Sequence, residues 1–279
     1  MRVLVLSPRV APGLLSAAAW DLLRSGVPVV STHDDPHVRA IADAGVPVRT
    51  VETAPGPEDD VVWIAPPGDT SWTAVVPDPA DVVHGSLELP GSHLLDVVAV
   101  MGRLRRECAW TRQQTHASLT RYLLEETHEV LEALDDLDAG LLRDELGDLL
   151  MQIVFHAAIA ADDGAFDVDD VADAIAAKLV RRNPHVFGSG TARTPEEIDA
   201  AWQAVKAEES PRSHPLEGVP AGLPSLALAV KALDRVEDLD TSGDDVGARL
   251  LALAAQAREQ GVDPEAALRR AVRERVDDR

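Results

Sequence analysis

The chain has 279 residues and a net charge of −22, from 48 acidic against 26 basic side chains. That balance argues against stable nucleic-acid binding, which calls for a basic surface. A hydrophobic content of 46% excludes a disordered chain, and one cysteine, Cys108, excludes an intramolecular disulfide.

Aromatic residues make up only 3% of the chain, so alanine, valine and leucine must fill the core, which suits helices. Met1 leads straight into Val3-Leu-Val-Leu6, so no signal peptide is expected. No apolar run is long enough to span a bilayer, and the cytoplasm is the expected location.

Residues 1–85 read as a small α/β unit. Strands are expected over Arg2–Ser7, Val27–Ser31, Val48–Glu52 and Asp60–Ala65, with helices over Pro12–Ser25 and Pro36–Ala44. Strands alternating with helices imply a parallel sheet. The stretch resembles the beginning of a tetrapyrrole-methylase domain. Such methylases open with a glycine-rich loop after the first strand, whereas here Ser7-Pro-Arg-Val-Ala-Pro-Gly13 holds one glycine. The unit is therefore read as a structural remnant, with no cofactor assigned. Pro66–Gly91, with Pro66, Pro67, Pro77, Pro79 and Pro90, is expected to be a linker.

From Ser92 the pattern is helical. Leu94–Arg106 is a first helix with Leu95, Val98 and Met101 inward, and Cys108–His116 a connecting loop. Ser118–Leu137 and Leu141–Ala161 are the next helices, the latter ended by Asp162-Asp163-Gly164. Asp167 is the expected N-cap of a helix over Val168–Arg182, with Asp170 completing a capping-box analogue. The acidic run Asp162–Asp173 lacks the alternating ligands and terminal glutamate of an EF-hand loop.

Two pairs of carboxylates stand out. Residues three and four apart share a helix face, so Leu119, Leu123, Val130 and Leu134 form an apolar stripe. Glu126 falls inside it and Glu129 one turn on. In the following helix Leu141, Gln152, Phe155 and Ile159 share a face with Glu145 and Asp148. Buried carboxylates without partners are costly, so these need protons or cations. Four oxygen ligands without histidine or cysteine favour a hard cation, Mg²⁺ or Mn²⁺. Gly147, between the second pair, costs up to about 1 kcal/mol relative to alanine in a helix and leaves room for close helix approach or a ligand. Lys178 and Arg182, four apart in a chain with three lysines, form a candidate phosphate grip.

These residues match a family. Residues 92–210 resemble the MazG nucleoside triphosphate pyrophosphohydrolases, all-α proteins related to dimeric dUTPases and phosphoribosyl-ATP pyrophosphohydrolases. The signature E-E-x-x-E followed by E-x-x-D stands as Glu125-Glu126-Thr-His-Glu129 and Glu145-Leu-Gly-Asp148. The flanks agree at Gln114-Thr-His116, Val154-Phe-His156, Lys178-Leu-Val-Arg181-Arg182 and Trp202-Gln-Ala-Val-Lys206. Cys108-Ala109-Trp110-Thr111 departs from the family's usual Cys-Pro-Trp-Asp.

The resemblance implies Mg²⁺-dependent hydrolysis of a nucleoside triphosphate to monophosphate and pyrophosphate, in nucleotide-pool house-cleaning. It implies Glu126, Glu129, Glu145 and Asp148 as ligands, and Glu125 as the group that orients or deprotonates water. Lys178, Arg181 and Arg182 would neutralise the departing phosphates, Trp202 would stack on the base, and Lys206 would sit beside it.

An internal repeat at an offset of 100 residues aligns Asp144-Glu145-Leu-Gly147-Asp148 with Asp244-Asp245-Val-Gly247-Ala248. The second copy has lost its acidic ligand at Ala248 and has no E-E-x-x-E helix, so residues 220–279 are expected to be helical and catalytically silent. Ser210–Leu223 is the expected linker. The fold is thus mainly α: a small α/β unit, an all-α catalytic bundle over 92–210, and a degenerate second helical repeat. So few helices are expected to complete their core against a partner, as a homodimer. A di-iron bundle would need Glu-x-x-His pairs, which this chain replaces with Glu-x-x-Asp. A narrower dUTPase- or phosphoribosyl-ATP-specific enzyme and a non-catalytic dimerisation scaffold are the remaining alternatives.

Overall fold

The computed structural model describes residues 1–67, 70–74, 76, 78–209 and 213–277. Pro77 of the first expected linker and the start of the second, at Ser210, lie outside the described residues. The chain divides into two compact units, Met1–Asp173 and Ala174–Arg279. It is mostly helical, with one small parallel sheet.

The first unit opens with β1 (Arg2–Val5), α1 (Ala17–Leu23), β2 (Val29–Ser31), α2 (Pro36–Asp43), β3 (Val48–Thr50), β4 (Val62–Ile64) and β5 (Val82–His84). The strands pair in parallel in the order β3-β2-β4-β1-β5. Both faces of the central strands are buried, which is why Val3-Leu4 and Val62-Trp63-Ile64 read as unbroken apolar runs. Leu4, Val62 and Ile64 pack with Ala19, Leu22 and Leu23 of α1 and Ile41 of α2, while Val3, Val30 and Trp63 form a core on the other face. Ser16 caps α1 by accepting from the Ala19 amide, and Asp35 caps α2 by accepting from Val38.

The fifth strand lies inside the segment expected to be a linker. Val82-Val83-His84 extends the sheet beside β1, and a Cβ on Gly85 would stand 2.6 Å from the Leu6 side chain and 2.8 Å from that of Leu4. Beyond it, Arg9 holds Glu88 at 2.7 Å and Asp96 at 2.6 Å, so the first loop of the sheet is tied to the first helix of the bundle.

That helix is α3 (Leu94–Glu107), followed by α4 (Ala109–Gln113), α5 (His116–Asp136), α6 (Ala139–Asp162) and α7 (Val168–Arg182). Met101, Leu119, Val154, Phe155 and Ile159 form the bundle core, with Val97, Val98 and Tyr122 against it. Leu95, expected inward, is 52% exposed, because the buried face of α3 runs through Val97, Val98 and Met101. Leu134 and Leu141 are also exposed, at the ends of their stripes near the α5–α6 turn. The expected loop at 108–116 contains the short helix α4. It is held by Arg105, which donates to the Thr111 carbonyl, and by Trp110, edge-on to Tyr122 at 6.2 Å. The N-cap of α7 forms as expected: Asp167 Oδ1 accepts from the Asp169 and Asp170 amides, and Asp170 accepts from Asp167 N–H.

In the second unit α8 (Pro184–Phe187) and α9 (Pro195–Glu209) precede α10 (Ser225–Arg235), α11 (Val246–Glu259) and α12 (Pro264–Asp277). The last three pack on one another around the fully buried Ala254, and Arg258 of α11 pairs with Asp234 of α10 at 2.7 Å. Among the described residues, no helix is long and apolar enough to cross a membrane.

Candidate metal and nucleotide site

The site begins with a tight helical hairpin. Only Leu137 and Asp138 separate α5 from α6, and Leu137 takes the left-handed conformation, φ 55°, that reverses the chain. Asp138 then caps α6, its Oδ1 accepting from the Gly140 and Leu141 amides. With about 1.5 Å of rise per residue, equal distances from the turn fall level on two antiparallel helices. Glu129 and Glu145 lie about two turns from it, and Glu126 and Asp148 about three. The hairpin therefore faces acid with acid at two successive levels.

Electrostatics follow that register. Burial raises the Glu126 carboxyl above the usual range, and among its charged neighbours Asp148 acts first, then Glu129 and Glu145. Burial also raises Glu145, with Glu129 and then Asp148 as the leading charges. Glu126, Glu129 and Glu145 each offer a carboxylate oxygen, all within 4.8 Å of one another. Asp148 is more exposed and stands outside that trio while acting on two of its members. Glu125 is exposed and is not among the three residues of the trio.

The donor set suits a divalent cation. Bonds of about 2.1–2.4 Å keep the oxygens of a coordination shell no more than about 4.2–4.8 Å apart, and the trio's oxygens all lie within 4.8 Å of one another. The donors are all hard oxygens, and Glu126 and Glu145 are raised first by burial and then by the neighbouring carboxylates.

The cations named from the sequence lie in the other unit. Lys178 is exposed on α7. Arg181 donates to Glu209 Oε1 at 2.6 Å, and Arg182 pairs with Glu209 Oε2 at 2.5 Å. The Arg182 guanidinium lies 5.3 Å from the centre of the Trp202 ring. Lys206, one turn beyond Trp202, lines a cleft of about 850 Å³ together with Gln203, His214, Lys231 and Arg235. Two of the chain's three lysines thus face one cleft.

Two features carried no assigned role in the sequence. Glu209 gathers both arginines, although it lies 27 residues from Arg182. His116 and His156 stack with rings parallel and their Nδ1 atoms 2.7 Å apart, and burial followed by the His116 charge lowers the His156 pKa. The hairpin register would have found the second pair, since both histidines lie far from the turn on facing helices.

The α5–α6 hairpin thus presents opposed carboxylates that could hold a metal ion, within a mostly helical chain. The profile of the MazG nucleotide pyrophosphohydrolase domain matches residues 114–187. The chain is 33% identical over 213 residues to the nucleoside triphosphate pyrophosphohydrolase/pyrophosphatase MazG of Thermotoga maritima, across 65% of this chain and 82% of that protein. It is 42% identical over 193 residues to the nucleoside triphosphate pyrophosphohydrolase of Mycolicibacterium smegmatis, covering 67% of this chain and 58% of the relative's length. An uncharacterized 26.1 kDa protein of Streptomyces cacaoi is 45% identical over 233 residues, which is 80% of this chain and 94% of that one. The chain belongs to the MazG family.

Proposed function

We propose that this chain is a nucleoside triphosphate pyrophosphohydrolase that uses Mg²⁺, with Mn²⁺ as a substitute, to release pyrophosphate from ribo- or deoxyribonucleoside triphosphates. The observation that carries this reading is the carboxylate trio within 4.8 Å, built by the segment that matches the family profile.

A triphosphate brings too much negative charge to be held by carboxylates directly. Glu126, Glu129, Glu145 and Asp148 would hold the divalent cation, which would supply charge neutralisation and Lewis acidity towards the α-phosphorus. Glu125 orients or deprotonates the attacking water. The water oxygen bonds to the α-phosphorus, the bond from that phosphorus to the α–β bridging oxygen breaks, and pyrophosphate leaves. Lys178, Arg181 and Arg182 neutralise the leaving group, and Trp202 and Lys206 receive the nucleoside end.

Residues 220–279 are read as a degenerate second copy, and the N-terminal sheet as a structural appendage. The exposed Leu124, Leu134, Leu146 and Ile153 along the α5–α6 hairpin support a homodimer that covers this face. The expected location is the cytoplasm, where nucleotide-pool house-cleaning would act.

The test is pyrophosphate release across the common ribo- and deoxyribonucleoside triphosphates, with and without Mg²⁺. Asp148→Asn and Glu145→Gln are each expected to lower turnover by about 10²-fold or more while the fold survives. Wild-type turnover in either variant would remove the ligand roles.

A further inference from the structure

Arginine has five N–H donors in a fixed fork, and what holds each of them decides what the side chain can still do. Arg182 is 13% exposed, and Glu209 takes two of its nitrogens: Nε donates to Oε2 at 3.1 Å and Nη2 to the same oxygen at 2.5 Å. The flat face lies over Trp202 at 5.3 Å. Among the described residues Nη1 makes no hydrogen bond. The guanidinium is thus fixed by a carboxylate at one edge and a ring at one face, with one edge left over. Arg181 shares the same carboxylate, through Nε to Oε1 at 2.6 Å.

Two cations against one anion leave surplus positive charge in a chain whose net charge is −22. We propose that Glu209 is a positioning residue for the phosphate grip, fixing Arg182 on the Trp202 ring so that its Nη1 edge stands ready for a phosphate oxygen. This rests on the reading of Arg182 as a phosphate ligand given above.

Preorganisation is the physical gain. A free arginine loses rotamer freedom when it engages phosphate, whereas a guanidinium already clamped has lost it on folding. The Glu209 carboxyl is held down to about 2, by hydrogen bonds from Arg182 and then Arg181, so the clamp stays charged across neutral pH. The same geometry bears on Trp202. Arg182 lies over the Trp202 ring at 5.3 Å, so a base stacking on Trp202 would use the opposite face.

The experiment is steady-state kinetics on the full chain with Mg²⁺ and a nucleoside triphosphate, for Arg182→Ala, Glu209→Gln, Glu209→Asp and the Arg182→Ala/Glu209→Gln double variant, with a melting curve for each. Glu209→Gln is expected to raise KM about tenfold with kcat within about twofold, since one edge of the grip loses its charge-assisted anchor. Glu209→Asp, which keeps the charge, is expected to recover part of that loss. The double variant is expected to fall well short of the sum of the single losses, because Glu209 acts mainly through Arg182, with a smaller part through Arg181. A Glu209→Gln enzyme with unchanged KM and a lowered melting temperature would reduce the contact to a helix tie and overturn the proposal. A lowered KM would overturn it too, making Glu209 a competitor for the phosphate. Full additivity in the double variant would separate Glu209 from Arg182. Unchanged KM in Arg182→Ala alone would instead strike the underlying phosphate-grip reading.

Discussion

Glu126→Gln should stabilise the metal-free chain and destabilise it, relative to wild type, once Mg²⁺ is added. Glu126 is half-buried and shares its site with Glu129 and Glu145, each with an oxygen within 4.8 Å. Two unit charges at that separation repel by about 0.9 kcal/mol in a water-like dielectric and by about 3.5 kcal/mol at an effective constant near 20. Glu129 is exposed, so the lower end applies, and the isosteric amide removes about 1–2 kcal/mol of repulsion and desolvation from Glu126. For a unit of this size that corresponds to a rise of about 2–8 °C in melting temperature in EDTA. With Mg²⁺ at about a hundred times its dissociation constant, wild type gains about 2.7 kcal/mol by mass action and the variant loses most of that gain. Differential scanning fluorimetry in EDTA and in Mg²⁺ reads both arms, and the two curves should cross. A variant less stable than wild type in EDTA, or one with the same Mg²⁺-induced shift, would refute the cluster as a repulsive, cation-seeking site.

The pH dependence of the metal-free chain should have two opposed limbs. Glu126 and Glu145 are raised, so the folded chain holds protons that the unfolded chain has released, and stability falls as pH rises from the ordinary carboxyl value of 4.5 through the raised values. Glu209 is lowered from 4.5 to about 2, so its contribution is fully present above 4.5 and is lost as pH falls towards 2. Melting curves in EDTA over that range should show a maximum on the acid side of neutrality, and a steady fall from pH 7 downward would contradict the first limb. Gly147→Ala should raise stability by up to about 1 kcal/mol in thermal melts, since a Cβ there meets nothing within 4 Å and the residue sits in a helix interior. A lowered melting temperature would show that the chain itself needs the space.

The opposed carboxylates were legible because helical spacing and a short turn fix what faces what, and both are local. Elements held by distant residues were not. β5 is three residues long among prolines and glycines, and it exists because β1 offers it a pairing edge. α4 is five residues long, too short to stand alone, and depends on Arg105 and on Trp110 packing against Tyr122 and Phe155. Periodicity chose the correct faces of α5 and α6, yet Leu134 and Leu141, at the stripe ends beside the turn, emerged exposed. Glu209 was invisible for a related reason: its partners are a helix away, and a glutamate near a helix end is ordinary without them.

Glu145 and Asp245, aligned by the 100-residue offset expected from the sequence, show why spacing from a helix start matters more than the presence of an acid. Glu145 stands six residues inside α6, so its side chain leaves the helix flank and meets α5. Its counterpart Asp245 stands immediately before α11, where it is the N-cap, accepting from the Ala248 amide at 3.0 Å. Of these two aligned acids one is a cluster member and the other a cap. A cap needs an oxygen acceptor and no charge, whereas a cation ligand of this kind needs the carboxylate. Asp245→Asn should therefore leave the stability of the second unit within a few tenths of a kcal/mol, while Asp245→Ala should lower it by about 1 kcal/mol. Neither should alter the Mg²⁺ dependence of pyrophosphate release. A change in that dependence on Asp245→Asn, with melting unaffected, would mean that the second copy still handles metal and that the capping geometry is not the end of its chemistry.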